Sequence, residues 1–410
     1  MPVEFIPMRW PSAWRDPSCV DILKGTGINY LLIDPGLQSV RERAQALSLT
    51  TGELDSAPKG AVIVKGEWPG VKLSESGATD QASEGPTGAP WVDSNGWRVR
   101  LAAAQSAGTS IWVDAPPKAA RLRPESYVMA VADSASYGGR WIVSLDDALA
   151  NGIAAQNATA LGAWKKISGA VAFFAGHTDW FGYQPEAVLG IISDFTAKNE
   201  FLSHELLNLV ARTNQQYRVI PKTGMTSASL ANLRAAIYSD AEAPEPAVRK
   251  LILSFVEAGG LLITGPEWGS LPGQEASSRS HPRYGFRVLG KGRVAVADES
   301  LQGQDPFLIA QDSMILISHR FDLLRFWNPG AIGSYLTVSP DRKTAVLHLL
   351  FYATAREGPS SVRVVGRYRK ATLSTLDQPA ARPVEMVIQN GAVEIHLPAI
   401  SQYGAVRLEA

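Results

Sequence analysis

Acidic residues stand at the ends of several apolar runs in the first half of the chain. The runs INYLLID, AVIVKGE, TSIWVD and RWIVSLD are typical of buried strands, and their acids are Asp34, Glu67, Asp114, Asp146 and the following Asp147. The carboxyl ends of parallel strands meet at one edge of a sheet, so we expect these carboxylates to surround a single opening. Two such groups can divide proton donation and nucleophilic or base chemistry between them, which is what cleavage of a glycosidic bond requires.

Glu67 and Asp146 are the candidate catalytic pair. Glu67 precedes Trp-Pro-Gly and is a poor helix-capping residue, so we assign it the role of general acid or base. Asp146 is the candidate nucleophile or second base. Structural alternatives stay open, because acids after strands often form turns or cap helices. Asp34 precedes Pro-Gly, Asp114 precedes Ala-Pro-Pro, and Asp147 can cap the following helix.

Tryptophan is concentrated in the same half of the chain, where nine of the 11 lie at or before Trp180. Trp68, Trp91 and Trp97 flank a stretch over 71–95 that is rich in Gly, Ser, Thr and Pro, and long loops are often functional. Indole rings fill cores and also stack on the C–H faces of sugars, and we expect a ligand surface here. The candidate substrate-binding residues are Asp34, Trp68, Trp91, Asp93, Asn95, Trp97, Asp114 and Asp147.

The elements that must position these residues fall into three regions. Continuous apolar strands alternate with helices in residues 1–182, which predicts a parallel sheet covered on both faces. About six βα units fit, whereas a complete eight-unit barrel typically needs ~250 residues, so we expect a short or degenerate (β/α) barrel. Residues 183–300 have the pattern of a flavodoxin-like, doubly wound domain. Residues 301–410 begin with a linking helix over 305–326, and the short alternating runs that follow predict a small antiparallel β-sandwich.

The composition of the chain limits the classes of partner and cofactor that we expect it to bind. Lys plus Arg and Asp plus Glu number 39 each, so the formal net charge is zero, which argues against a nucleic-acid binder. No apolar run reaches the length of a membrane span. The six histidines show no paired ligand spacing, and no Walker-type glycine motif is present, so we expect neither a metal nor a cofactor.

The cysteine content and the N-terminus leave the compartment open. The single cysteine, Cys19, excludes an intramolecular disulfide. Residues 1–5 lack the basic and apolar segments of a signal peptide. An exported mature chain, periplasmic or secreted, and a cytoplasmic protein are both consistent with this pattern.

The middle of the chain resembles a known domain. The stretches that carry the resemblance are residues 187–194, 199–202, 205–208, 235–240 and 256–263. They resemble the trimerisation domain of family 42 β-galactosidases and related hypothetical glycosyl hydrolases, which looks like a class I glutamine amidotransferase without its catalytic cysteine. In that family the domain follows a catalytic barrel and precedes a small β-domain, which is the order predicted here. The resemblance implies a bacterial glycosidase that acts on a carbohydrate and forms a homo-oligomer, either a dimer or a trimer.

The sequence departs from this family where the chemistry lies. The family carries an Asn-Glu acid/base motif on a barrel strand, whereas here that dipeptide is Asn199-Glu200, in the second region. The resemblance therefore does not imply galactosidase specificity. Amidotransferase activity is excluded, because it needs a nucleophilic cysteine on a strand-to-helix turn. Two alternatives to a glycosidase stay open: a non-catalytic carbohydrate-binding or assembly protein on a degenerate barrel, and a metal-dependent hydrolase that uses Asp34, Asp114 and Asp146.

Overall fold

The computed structural model describes residues 4–72, 91–118, 121–277, 280–328, 332–353 and 358–410, with the backbone alone for Lys72 and Trp91. The chain forms three regions in succession: a parallel sheet with helices, a second α/β sheet and an antiparallel β-region. Among the helices within these ranges, none has both the length and the apolar character that a bilayer crossing needs.

Short strands and five helices form the first region, and the strands of its main sheet are parallel. The strands are β1 (Pro7–Arg9), β2 (Tyr30–Leu32), β3 (Thr50–Gly52), β4 (Ala61–Lys65), β5 (Gly70–Lys72), β6 (Trp91–Asp93), β7 (Ser110–Asp114), β8 (Arg140–Trp141) and β9 (Val143–Ser144). The helices are α1 (Gln38–Ala46), α2 (Gly96–Gln105), α3 (Pro124–Ser136), α4 (Asp147–Ala154) and α5 (Ala158–Ala175). Local sequence sets several helix starts: Pro124 opens α3, and the Asn157 side chain accepts hydrogen bonds from the first amides of α5.

The parallel sheet of the first region is open. Strands pair in the order β3-β2-β1-β9 and β4-β7-β8, and β8 and β9 are successive parts of one segment, so the two sheets continue into each other. Within the described residues, β3 and β4 do not pair and no closed sheet forms, so the predicted barrel is not confirmed. The paired strands are only two to five residues long, and residues 53–60 form turns instead of a pairing edge.

Side-chain alternation divides this sheet into two faces. Tyr30, Leu32, Trp112 and Ile142 form one small cluster on the inner face. Their neighbours along the strands point the other way and join the large core beneath α3 and α5. Because alternate residues share a face, Asp114 follows Trp112 on the inner face, at the carboxyl end of β7. The alternation thus directs one predicted site residue into the opening of the sheet.

The second region contains a seven-stranded sheet. Its elements are β11 (Leu189–Ser193), α6 (Glu200–Arg212), β12 (Tyr217–Pro221), β13 (Ala235–Tyr238), α7 (Pro246–Glu257), β14 (Leu261–Thr264), β15 (Gln274–Glu275), β16 (Tyr284–Leu289), β17 (Gly292–Ala297) and α8 (Pro306–Ile317). The strand order is β12-β11-β13-β14-β17-β16-β15, and the first five strands are parallel. This is the flavodoxin order 2-1-3-4-5, extended by two antiparallel strands.

Helices cover both faces of the second sheet. Helices α6 and α8 bury apolar residues in one core, and α7 does so in the other. The predicted linking helix over 305–326 is therefore corrected: it ends at Ile317, and its apolar face packs beside α6. Ser318 adopts a positive φ of 74°, which ends the helix, and residues 324–327 form a strand.

The third region is antiparallel, as predicted. Its strands are β10 (Gln184–Pro185), β18 (Leu324–Trp327), β19 (Ile332–Val338), β20 (Thr344–Phe351), β21 (Ser360–Val365), β22 (Lys370–Thr375), β23 (Arg382–Pro383), β24 (Glu385–Gln389), β25 (Ala392–Leu397) and β26 (Tyr403–Glu409). They form the sheets β10-β19-β20-β26-β22-β23 and β18-β21-β25-β24, which share one apolar core. The segment 184–185 pairs with β19, so the chain contacts this region before it enters the second sheet.

Candidate functional site

An ion pair lies at the carboxyl end of the open sheet. Arg9 ends β1, and its Nη2 donates to Oδ2 of Asp114 at 2.8 Å. Each side chain is 21% exposed, and Arg9 also reaches Asp55 at 3.4 Å. Within the described residues, Nε of Arg9 and Oδ1 of Asp114 are buried and have no hydrogen-bond partner. The pair therefore keeps one donor and one acceptor for a further polar group.

Arg9 was not among the predicted site residues. The sequence gives only a weak indication that Arg9 belongs to the site. It is a basic residue at the end of the short run PMR, whereas the other strands are followed by acids. The contact joins residues 105 positions apart, and no local pattern specifies such a pair.

Glu67 lies beside this ion pair. The amide of Gly66 donates to the carbonyl of Asp114 at 2.8 Å, which ties the residue before Glu67 to the end of β7. A Cβ at position 66 would lie 2.3 Å from Cγ1 of Val113, so the close approach requires glycine. The Glu67 side chain is 45% exposed and accepts a hydrogen bond from Nη2 of Arg98 at 2.9 Å. Its carboxylate is accordingly accessible to a ligand.

A buried polar chain fixes the backbone of Glu67. Asn95 is fully buried; its Oδ1 accepts from the amide of Glu67 and its Nδ2 donates to the Glu67 carbonyl, both at 2.8 Å. Asp133 on α3 accepts from the Asn95 amide at 2.8 Å and from the Tyr352 hydroxyl at 2.7 Å. Burial raises the pKa of Asp133, and these hydrogen bonds, with one from Ser94, oppose the rise. The chain links Glu67 to the third region through the residue after β20.

Neither Asp133 nor Tyr352 was predicted from the sequence. Asp133 did leave a signal, because it is an acid within the otherwise apolar helical run YVMAVADSAS. An ionisable group in such a position needs hydrogen-bond partners when it is buried.

Asp146 occupies a structural position. Only 3% of its surface is exposed, and its Oδ1 accepts from the Leu149 amide at 2.9 Å, which caps α4. Its Oδ2 accepts from the Leu122 amide at 3.0 Å and from the Tyr127 hydroxyl at 2.9 Å. These three donors hold the carboxylate away from solvent, and none of them belongs to Glu67 or its neighbours. The catalytic role of Asp146 stays a prediction.

Two further predicted acids serve local structure. Oδ1 of Asp34 accepts from the amide of Gly36 at 2.7 Å, which closes the turn that Pro-Gly suggested. Asp147 is exposed in the first turn of α4, where a negative charge favours the helix dipole.

The predicted aromatic surface is divided among different contacts. Trp68 packs edge-on against Tyr127 and Trp141, with ring centroids 5.0 Å apart in both pairs. Trp97 lies 4.9 Å from the ring of His204 on α6 and joins the core of the second region. Trp91 begins β6, and its side chain lies outside the described structure.

Asp93 and Asn95 are the polar residues that were predicted beside these rings. Both are buried, at 6% and 0% exposure. The charge of Asp93 opposes the lowering of the Arg212 pKa by burial. Asn95 binds the backbone of Glu67, so its observed role is to position another site residue.

The charge of Glu67 acts on a second carboxylate, Glu205 on α6 of the second region. Glu205 follows His204 on α6, so the Trp97–His204 contact brings it to the start of α2. Burial raises the pKa of Glu205, the charge of Glu67 adds to the rise, and Arg212 and Arg98 oppose it. Glu205 was not predicted, because helical periodicity does not indicate which region its helix will face.

The site gives no indication of a metal centre. In the part of the chain that the structure describes, no three His, Cys, Asp or Glu side chains converge so as to hold a metal ion. Asp34, Asp114 and Asp146, which the sequence suggested for a metal-dependent hydrolase, therefore do not form such a group.

Comparisons with known proteins give structural matches only. No protein-family profile matches the sequence, and no curated protein matches it. Its structural neighbours are glycoside hydrolases. The α-L-fucosidase isoenzyme 2 from Paenibacillus thiaminolyticus matches with a TM-score of 0.55 and 9% identity, over 99% of this chain and 100% of that one. Gan42B, a GH42 β-galactosidase from G. stearothermophilus, matches with a TM-score of 0.50 and 11% identity.

The extent of these matches limits what they show. The match to Gan42B covers 77% of this chain and 56% of Gan42B, so the protein spans just over half of that enzyme. At 9% and 11% identity, the likeness shows a shared fold and carries no residue roles.

Proposed function

We propose that this protein is a glycoside hydrolase that acts on a carbohydrate at the carboxyl end of its N-terminal parallel sheet. The observation that carries the proposal is the solvent-accessible carboxylate of Glu67, whose backbone is fixed by Asn95. The fold that the protein shares with an α-L-fucosidase over nearly its whole length supports the same reaction class.

Glu205 is our candidate partner for Glu67 in place of Asp146, because the charge of Glu67 acts on it, whereas the oxygens of Asp146 are buried and hydrogen-bonded. The raised pKa of Glu205 suits a general acid, which must keep its proton until it protonates the leaving glycosidic oxygen. Glu67, paired with Arg98, would then attack the anomeric carbon as nucleophile, or as base take a proton from the water that attacks it. The Arg9–Asp114 ion pair, in which each side chain is 21% exposed, would border the bound sugar.

Substitutions of the carboxylates test this assignment. We expect Glu67→Gln and Glu205→Gln to lower kcat on aryl glycosides, including an α-L-fucoside and a β-D-galactoside, by roughly 100-fold or more while sugar binding persists. Glu299→Gln, at an exposed position, is the matched control and should keep full activity. A Glu67→Gln variant that keeps the kcat of the wild type would contradict the proposal. Loss of activity in a stably folded Asp146→Asn variant would return Asp146 to the catalytic pair.

A non-catalytic carbohydrate-binding protein is the second candidate. The observation that favours it is the use of Asp146, Trp68 and Trp97 in packing and capping, which leaves fewer groups free for catalysis. Saturable binding of a sugar, with no product from a broad glycan panel, would support this function and exclude hydrolysis.

We also propose that the protein forms a dimer or trimer through its second region. Phe201 on α6 and Ile315 on α8 are 71% and 59% exposed, on helices that pack together. Light scattering at micromolar concentration should show an oligomer that Phe201→Asp dissociates. A monomeric wild type would refute this assembly.

A further inference from the structure

A second cavity lies at the opposite end of the N-terminal sheet. It has a volume of about 460 Å³ and is bordered by Thr109 and Gly138, which precede β7 and β8. The edge strand β12 of the second region and β19 of the third complete its wall. The cavity is separate from the carboxyl end that holds Glu67, and its volume lies within the range of small-molecule sites, roughly 300–1,000 Å³.

Six Tyr, Trp and Phe side chains line this cavity. The rings come from all three regions of the chain: Tyr137, Trp180, Phe181, Tyr183, Tyr217 and Tyr335. Such surfaces bind flat or ring-shaped molecules, because their faces give large contact areas at little cost in conformational entropy. The shape and lining of the cavity therefore favour a ligand that contains a ring.

Two guanidinium groups provide the charge of the cavity. Arg100 is only 8% exposed, and its guanidinium lies over the rings of Tyr217 and Tyr335, at 3.5 and 4.9 Å from their centroids. Arg218 also lines the cavity, and its Nη1 donates to the carbonyl of Ser229 at 2.9 Å. Burial lowers the pKa of Arg218, and the charge of Glu186 opposes the change.

Within the described residues, no Asp or Glu lines the cavity beside these two cations. The charge of Glu186 acts on Arg218, but its carboxylate forms an ion pair with Arg342 at 2.8 Å. Contacts with aromatic faces and carbonyl oxygens stabilise a guanidinium but do not neutralise it. The cavity consequently has an excess of positive charge beside its aromatic side chains.

We propose that this cavity binds a small organic acid that contains a ring, with its carboxylate on Arg218 and its ring against the aromatic wall that includes Tyr217 and Tyr335. Arginine recognises carboxylates through paired N–H donors, which gives the orientation as well as the charge. A sugar acid and an aromatic carboxylate share this chemistry. The proposal does not depend on hydrolysis at Glu67.

Calorimetry on the full chain tests the proposal with three probes: D-glucuronate, benzoate and D-glucose. We expect at least one of the two acids to bind, and D-glucose to bind roughly tenfold more weakly or not at all. Glucuronate binding without benzoate binding would identify a sugar acid, and the reverse an aromatic acid. Equal affinity for glucose, or no heat from either acid at millimolar concentration, would overturn the proposal.

Three variants locate the binding. Arg218→Gln should raise the Kd of the bound acid roughly tenfold, because it removes one charged partner and leaves the Arg100 packing intact. Ala107→Trp places a large ring at the exposed margin of the cavity and should block entry. Gln105→Trp, two residues earlier and exposed but outside the lining, is its matched control and should bind normally. Unchanged binding in both Arg218→Gln and Ala107→Trp would refute the site.

Discussion

The two ends of the N-terminal sheet differ in charge and in how that charge is used. At the carboxyl end, acids follow the strands, and most of them serve the structure nearby, since Asp34 closes a turn, Asp146 caps α4 and Asp114 pairs with Arg9. At the amino end, Arg100 and Arg218 line a cavity without acids. An acid after a strand thus has a ready structural use, because turns and helix N-termini accept carboxylates there. Arg100 is held instead by the rings of Tyr217 and Tyr335, and Arg218 by the carbonyl of Ser229.

Glu67 differs from the other acids at its own end. Neither a turn nor a helix cap uses its carboxylate, and its position is fixed through its backbone, by Asn95. A group that is held rigidly while its reactive atoms face solvent suits chemistry better than one whose oxygens are all occupied.

The largest effect that we expect from a single substitution at neutral pH tests the structural use of an acid at the carboxyl end. Asp146→Ala should lower the free energy of unfolding by about 3 kcal/mol, because it removes a helix cap and leaves buried donors of Leu122 and Tyr127 unpaired. Urea denaturation measures the loss. Asp147→Ala, one residue along and exposed, should cost only about 0.5 kcal/mol. Equal losses in the two variants would remove the distinction between capping and exposed acids.

The second test concerns the support of Glu67. Asn95→Ala should cost about 2 kcal/mol, because the amide and carbonyl of Glu67 lose their partners. We also expect glycoside turnover to fall in this variant, while binding of the organic acid at the amino end stays unchanged. Gln105→Ala on the exposed face of α2 is the control for both measurements. A parallel loss of both functions would indicate general unfolding instead of a positioning role.

The third test uses the titration of a residue at the amino end. Burial lowers the pKa of His348 from 6.5 to about 3, and the charge of His177 adds to the effect. As the pH falls, the unfolded chain binds a proton at His348 before the folded chain does. The free energy of unfolding therefore has its full value above pH 6.5 and decreases as the pH drops towards 3, by up to about 1.4 kcal/mol per pH unit.

Variants of His348 and its partner make this pH dependence specific. His348→Gln should flatten the slope of unfolding free energy between pH 6 and pH 4. Tyr403→Phe removes the hydroxyl that lies 2.8 Å from Nδ1 but keeps the buried imidazole, so it should retain the slope. A slope that is the same in His348→Gln and wild type would exclude His348 as its source.

The smallest effect should come from the ion pair at Glu67. The side chains of Arg98 and Glu67 are 24% and 45% exposed, so Arg98→Ala should change the free energy of unfolding by less than about 1 kcal/mol. Chemical denaturation in low and high salt measures this change. A loss above about 2 kcal/mol would mean that Glu67 is structural, like Asp146, and would weaken the contrast between them.

The sequence by itself determined the local character of this protein. Apolar runs and helical periodicity predicted the parallel sheet of the first region, the doubly wound second region and the antiparallel third region, and they put the acids after the strands. These features depend on neighbouring residues, so a linear pattern can express them. The predicted linking helix was wrong beyond Ile317. The helix ends there because Ser318 adopts a positive φ, although the composition of the following residues would have allowed the helix to continue.

Only the tertiary structure decided how the ends of the sheet are used. The Arg9–Asp114 and Asp133–Tyr352 contacts join residues 105 and 219 positions apart, and the aromatic cavity draws its wall from three regions. Whether a carboxylate faces solvent or a buried amide depends on which distant elements pack against it. The environment of each carboxylate therefore depends on the packed chain. Burial and the pairing of charges arise from contacts between elements that are far apart in the sequence.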